Sequence, residues 1–124
     1  MEKLQNELVS LLPIEMEHVD GIHEAAQNES TWTHMSVDLT TKEDCVHYVK
    51  DAIQKRINGT DFAFVIVHNE TNKIIGCTWF LDVHPSHKRL EIGSTWLNPH
   101  YWRSSVNTNC KWLLLNYCFE TLQY

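Results

Sequence analysis

Six consecutive residues, Arg103-Ser104-Ser105-Val106-Asn107-Thr108, separate a strand-like segment from a helix-like one. A guanidinium, hydroxyls and a carboxamide at a helix start suit an anion such as phosphate, because unpaired backbone N–H groups there attract negative charge. The same residue types are also ordinary helix caps, and the residues alone leave both readings open. The eight histidines raise the question of a metal. His18 and His23 are five apart on one predicted helix, Pro85 lies between His84 and His87, and His34 and His47 are isolated. A zinc site needs three or four convergent ligands, so no metal is expected. Cys110 and Cys118 fall on an apolar helix and read as small core residues rather than nucleophiles. Trp79, Trp96, Trp102 and Trp112 could stack on bases, but no basic patch accompanies them. Core packing or the lip of a cleft is the simpler reading.

The elements that must position these groups follow from periodicity. Leu8 to Leu12 reads as a short strand stopped by Pro13. Val19, Ile22 and Ala26 predict a helix over about residues 15 to 27, and Thr31 to Leu39 fits a short helix or a loop. Thr40 with Glu43 fits a capping box, and the helix it starts has an apolar face of Val46, Val49, Ile53 and Ile57, ending at Asn58-Gly59. Phe62 to Val67 is apolar on both faces and predicts a covered strand. A polar reversal at 68–73 and a return strand from Ile74 to Leu81 make an antiparallel hairpin. After a connection from Asp82 to Lys88 containing Pro85, Arg89 to Leu97 predicts a third central strand. Asn98 to Arg103 is a loop, and Thr108 to Leu122 a helix apolar around most of its circumference, expected to be buried on more than one side.

The chain of 124 residues, 43% hydrophobic, is sized for one domain over 1–124. A membrane span is not expected, since no run of about 18 apolar residues occurs, nor does the start resemble a signal peptide. Cys45, Cys77, Cys110 and Cys118 form no CxxC pair, and free thiols in a reducing cytoplasm are the simplest reading. Net charge is −6, with 11 acidic and 5 basic side chains in residues 1–60 and 5 of each in residues 61–124. The acidic first half argues against a nucleic-acid partner. It suits either a cationic substrate or simply a soluble surface.

The stretch Leu90-Glu91-Ile92-Gly93-Ser94-Thr95-Trp96-Leu97-Asn98-Pro99, then Tyr101 to Thr108 and Lys111 to Leu115, resembles the GCN5-related N-acetyltransferase superfamily, specifically its ribosomal-protein-alanine acetyltransferase-like branch. The order of the earlier elements is similar too. The resemblance implies an α/β acyl-CoA N-acyltransferase fold, with helices flanking a mixed, mostly antiparallel central sheet. It also implies acetyl transfer from acetyl-CoA to a primary amine, on a protein N-terminus or a small molecule. Laid onto this chain, the family's pyrophosphate motif begins at Arg103 and puts Val106 and Thr108 where small residues are usual. Ser104, Ser105 and Asn107 complete the implied cofactor loop, and backbone groups around Trp96 and Leu97 would meet the pantetheine arm. Glu91 takes the position of a general base, its rival role being a solvated rim carboxylate paired with Arg89 or Lys88. Trp32, Met35 and Tyr48 fall where relatives form the acceptor side. The family's last strands are missing from the match, so an incomplete domain is expected, or a homodimer or higher oligomer formed through an open sheet edge. The alternative function is a non-catalytic or degenerate coenzyme-binding or assembly module, or an inactive fragment.

Overall fold

The computed structural model describes residues 2–33, 35 and 37–124. Five strands form one sheet in the order β1-β2-β3-β4-β5: β1 Leu4–Gln5, β2 Val9–Pro13, β3 Phe62–His68, β4 Lys73–His84 and β5 Arg89–Leu97. All four pairings are antiparallel, so the expected mixed sheet has no parallel pair among the described residues. The helices are α1 Val19–Ala25, α2 Lys42–Asn58 and α3 Val106–Tyr117, the last continued by a wider π turn over Cys118–Leu122.

Strand alternation divides the core in two. On one face Val65, Val67, Cys77, Trp79 and Trp96 pack under α1 and α2, against Ile22, Trp32 and Val49. On the other, Phe64, Ile66, Phe80 and Leu97 meet Val106, Cys110 and Leu114 of α3. This two-sided cover is what the continuous apolar run of β3 requires, since every side chain from Ala63 to Val67 is buried. The hairpin joining β3 to β4 turns at Asn72, whose φ is 56°.

Several expectations shift. The first helix divides into a 3-10 turn, Met16–His18, and the seven-residue α1. The cap of α2 is Thr41, whose hydroxyl accepts from the Asp44 N–H at 3.1 Å. Thr40 bonds back to Asp38 instead. The buried face of α2 is Cys45, Val49 and Ala52. This is rotated roughly 90° from the Val46–Ile53–Ile57 side, at about 100° per residue, because the small Cys45 and Ala52 allow closest approach to the sheet. Ile57 is 71% exposed. Gly59, with φ 78°, ends the helix as anticipated. Strand β4 runs on to His84, and β5 pairs with β4 alone among the described residues, so it is an edge rather than a central strand. Helix α3 begins two residues earlier than the pattern suggests. One face is buried, while Trp112, Leu115 and Phe119 are exposed, because no described element covers that second face.

Candidate functional site

Strand β5 is irregular where the chemistry would be. Trp79 faces Gly93 and Cys77 faces Trp96, so the two residues Ser94 and Thr95 lie opposite the single residue Thr78. Such a bulge leaves one residue outside the ladder and re-aims its backbone groups. Ser94 takes a φ of 47°, a left-handed conformation that costs a non-glycine residue on the order of 1–2 kcal/mol. The Thr78 and Thr95 hydroxyls, 2.8 Å apart, tie the two strands together at the bulge. Farther along, the Asn98 N–H donates to the Ile75 carbonyl at 2.8 Å. By ladder alternation the Leu97 amide and carbonyl then face the open edge. The carbonyl is already engaged, by the Trp102 indole N–H at 2.8 Å.

Two clefts flank the bulge. The first, about 470 Å³, follows the open edge of β5 from Ile92 to Leu97 and is completed by Thr31, Met35, Trp102, Asn107 and Lys111. The second, about 250 Å³, is bounded by Val37, Tyr48, Asp51, Lys55, Trp79, Leu81 and Ser94. Met35 and Trp96 line both. The sequence-singled Trp32 is buried rather than in either lining and packs on Trp96, ring centroids 5.0 Å apart. Tyr48 accepts from the Trp79 indole at 2.8 Å, and burial, foremost, holds its phenol well above the ordinary pKa of 10.0. In the second cleft Asp51 pairs with Lys55 at 3.2 Å, and Lys55 also lies over Trp79 at 5.6 Å. Glu91 is exposed, opposite Leu81. Leu81 lines the second cleft, so the carboxylate sits on the same sheet face, toward its rim.

The loop from Arg103 runs into the start of α3. Ser105 is the N-cap residue, yet its own side chain makes no capping bond. The Val106 N–H reaches the Ser104 hydroxyl at 3.3 Å, and the Asn109 carboxamide donates to the Ser105 carbonyl at 2.8 Å. The first-turn amides of Asn107 and Thr108 have no intrahelical partner by construction. Arg103, Ser104, Ser105 and Thr108 are exposed, and no ion pair holds Arg103 among the described residues. Val106 is 1% exposed and packs in the α3 core. Its β-branched side chain therefore points away from the open ground in front of the helix, and the missing glycine does not block that ground.

Sequence reasoning missed two participants, Thr31 and the bulge at Ser94, while Trp102 was among the tryptophans read as core or cleft lip and lines the first cleft. Thr31 offered no signal, being a threonine in an ambiguous loop. The bulge at Ser94 has no glycine at its left-handed position to mark it. His34 lies outside the described residues. Among those described, no three His, Cys, Asp or Glu side chains converge as a metal site, and no helix is long and apolar enough to cross a membrane.

Comparison with known proteins gives this geometry its context. No curated protein matches significantly, whereas many solved structures do. A GCN5-related N-acetyltransferase from Brucella melitensis superposes with a TM-score of 0.88 at 20% identity, covering 98% of this chain and 56% of its own length. An acetyl transferase from Salmonella typhimurium that modifies the N-terminal serine of 50S ribosomal subunit protein L7/L12 gives 0.80 at 20% identity, covering 97% of this chain and 70% of that one. The ribosomal L7/L12 alpha-N-protein acetyltransferase RimL, in complex with coenzyme A, gives 0.77 at 20% identity over 94% of this chain and 67% of that one. At these identities the likeness is one of fold. The sequence itself matches the family model described as Acetyltransferase (GNAT) domain over residues 9–124. With residues 9–124 matched by that family model, this chain belongs to the GNAT acetyltransferase family.

Proposed function

We propose that this protein transfers an acetyl group from acetyl-CoA to a primary amine, with a protein N-terminus favoured over a small amine. The observation that carries the reading is the adjacency of three features: the open N-terminus of α3, a cleft along the open edge of β5, and a second cleft meeting it at Met35 and Trp96. The diphosphate is held by the amides of Asn107 and Thr108 with help from the Ser104, Ser105 and Thr108 hydroxyls and Arg103. The pantetheine arm lies along the β5 edge, where the Leu97 amide faces outward. The acceptor enters through the second cleft beside Met35 and Tyr48, with the buried Trp32 backing Trp96.

The step forms a C–N bond as the amine lone pair attacks the thioester carbonyl, and breaks the C–S bond as the thiolate leaves. One proton must come off the amine and one must reach the sulfur. Glu91, exposed near the second cleft, takes the first proton directly or through water. A backbone amide at the Ser94 bulge donates to the carbonyl oxygen as charge builds. Juxtaposition of the two substrates supplies a further part of the rate. The peptide acceptor is supported by the two L7/L12-modifying neighbours, and by the second cleft, whose one carboxylate is already neutralised by Lys55. That pairing offers little to a polycation. Four free, buried thiols support a reducing, cytoplasmic setting.

Incubation of the full-length chain with labelled acetyl-CoA and a panel of peptide and small amines tests the activity. Label on a peptide N-terminus is expected, and no transfer to any amine would refute it. A second reading is a binding or assembly module, favoured by the exposed Trp112 and Leu115 of α3 and Phe119 of the π turn after it, and by the one-sided pairing of β5 among the described residues. Light scattering separates the two: a concentration-dependent dimer with no transferase activity supports the module, and an active monomer excludes it.

A further inference from the structure

The Tyr48 side chain reaches from α2 to the sheet at the bulge in β5. Its hydroxyl oxygen accepts from the Trp79 indole N–H at 2.8 Å, and the two rings meet edge to face, centroids 5.7 Å apart. The Trp96 indole N–H is a second, looser donor to the same oxygen, and the hydroxyl's own proton is directed at the Cys77 sulfur. These partners are not scattered. Cys77 pairs with Trp96 on one side of the bulge and Trp79 with Gly93 on the other, so Cys77, Trp79 and Trp96 bracket Ser94 and Thr95 and converge on one hydroxyl. The opposite face of the sheet carries a second tie, between the Thr78 and Thr95 hydroxyls at 2.8 Å, because side chains alternate along both strands. The bulge is clasped from both faces.

Something must hold this stretch in shape. Ser94 sits at φ 47°, a conformation that a serine keeps only where its surroundings over-determine it. A hydroxyl accepts two hydrogen bonds and donates one. That of Tyr48 is therefore fully used inside the protein, although the residue lines the second cleft. We infer that Tyr48 is a positioning residue: through Trp79 and Trp96 it fixes the bulge at Ser94, and with it the backbone amide that meets the carbonyl oxygen of the thioester. The inference rests on the acetyl-transfer reading above and refines it. The hydroxyl gains a task at the bulge, and only the ring is left to the acceptor. An amide aimed at a developing oxyanion acts in the transition state, where one such donor is worth roughly 10²–10³-fold in rate. A displacement of about 1 Å costs on the order of 10²-fold, and losing one of the two clasps forfeits part of that.

Tyr48→Phe keeps the ring and removes the hydroxyl, and Trp79→Phe removes the main donor to it. The full-length chain, both variants and the double variant are assayed with acetyl-CoA and a short peptide, across pH, at a temperature where melting curves show all four folded. Each single variant should lose about 10-fold in kcat. KM for both substrates should stay within about 2-fold, because the lost interaction belongs to the transition state. The double variant should fall no further than the single ones, since all three break the same contact. The pH profile should drop uniformly and keep its limbs. Unchanged kcat with only a lower melting temperature reduces Tyr48 to packing and overturns the inference. A raised peptide KM with kcat intact overturns it in favour of direct contact with the acceptor, and loss of the alkaline limb in favour of proton donation. Should Tyr48→Phe unfold, Trp79→Phe carries the test, and wild-type kcat in that variant overturns the inference. A wild type that transfers to no amine removes the acetyl-transfer reading, and the positioning role with it.

Discussion

Restoring glycine at position 106 separates two explanations of an unusual residue. If the Val106 side chain obstructed the diphosphate, Val106→Gly would tighten coenzyme binding. Its burial says otherwise: at 1% exposure it packs among Val9, Leu11, Cys110 and Leu114. Deleting it forfeits about 1.5–3 kcal/mol of buried apolar contact. A further cost of up to about 1 kcal/mol comes from glycine at the start of a helix. The total, about 3 kcal/mol, is a large part of the roughly 5–15 kcal/mol that stabilises a domain, and corresponds to a melting temperature lower by about 10 °C. Coenzyme affinity should change by less than about 2-fold in the population that remains folded, because the amides, not the side chain, meet the anion. Circular dichroism melts and calorimetry at 10 °C supply both numbers, and Val106→Ala gives a milder loss should the glycine variant unfold. A glycine variant as stable as the wild type that binds coenzyme tenfold tighter would place Val106 in the path of the anion and refute the reasoning.

Two glycines should differ sharply in cost when changed to alanine. At Gly76 the added Cβ would lie 2.0 Å from the Trp96 carbonyl oxygen and 3.0 Å from Leu97 Cα, so β5 must move and melting should fall further than for Val106→Gly. At Gly21 the nearest atom is the flexible tip of Ile74 at 2.7 Å, and Gly21→Ala should cost less than about 1 kcal/mol. Thiol accessibility is a third test: burial pushes Cys45 up to about 11 and Cys110 to about 12, and Cys77 higher still. A disulfide reagent at pH 8 should therefore label none of the four until the protein unfolds, and rapid labelling of Cys110 would contradict the packing of α3. His18 gives a pH dependence. Its Nδ1 accepts from the Glu15 N–H at 3.0 Å, and burial, opposed by Glu17 and Glu15, lowers its pKa below 6.5. The neutral ring then stabilises the fold fully above pH 6.5, and this is lost as pH falls through the folded value. The stability gap between wild type and His18→Gln should narrow between pH 7.5 and 4.5, and a gap that widens would be the wrong sign. Glu91→Gln should lower kcat about 100-fold with KM for acetyl-CoA unchanged; full activity would reduce Glu91 to a solvated rim carboxylate.

The parts of the fold that follow from alternation and chain punctuation could be read directly. The apolar run of Phe62 to Val67, the hairpin after it and the stop at Gly59 all express local rules that tertiary packing reinforces. What was misread depends on partners rather than on period. The face of α2 is chosen by the small Cys45 and Ala52, which a count of large apolar residues overlooks. An apolar circumference on the last helix suggested burial on more than one side, but that needs a second covering element, and none of those described lies over Trp112, Leu115 and Phe119. Strand β1 is two residues long and exists only because β2 offers it an edge. Near the site, the start of a helix after Arg103 was legible because capping-type residues gather there. The bulge at Ser94 was not, since its left-handed residue is a serine and its signature is a register shift between two strands. The cleft contribution of Thr31 depends on where a loop folds, which no local pattern encodes.

The diphosphate's place at the start of α3 is tested most directly by titrating the full-length chain with coenzyme A and with pantetheine, which has the amide arm but no phosphate. Coenzyme A should bind far more tightly than pantetheine, and the difference should shrink as salt is raised. Equal affinities for the two, or binding of neither, would contradict an anion site at that helix end.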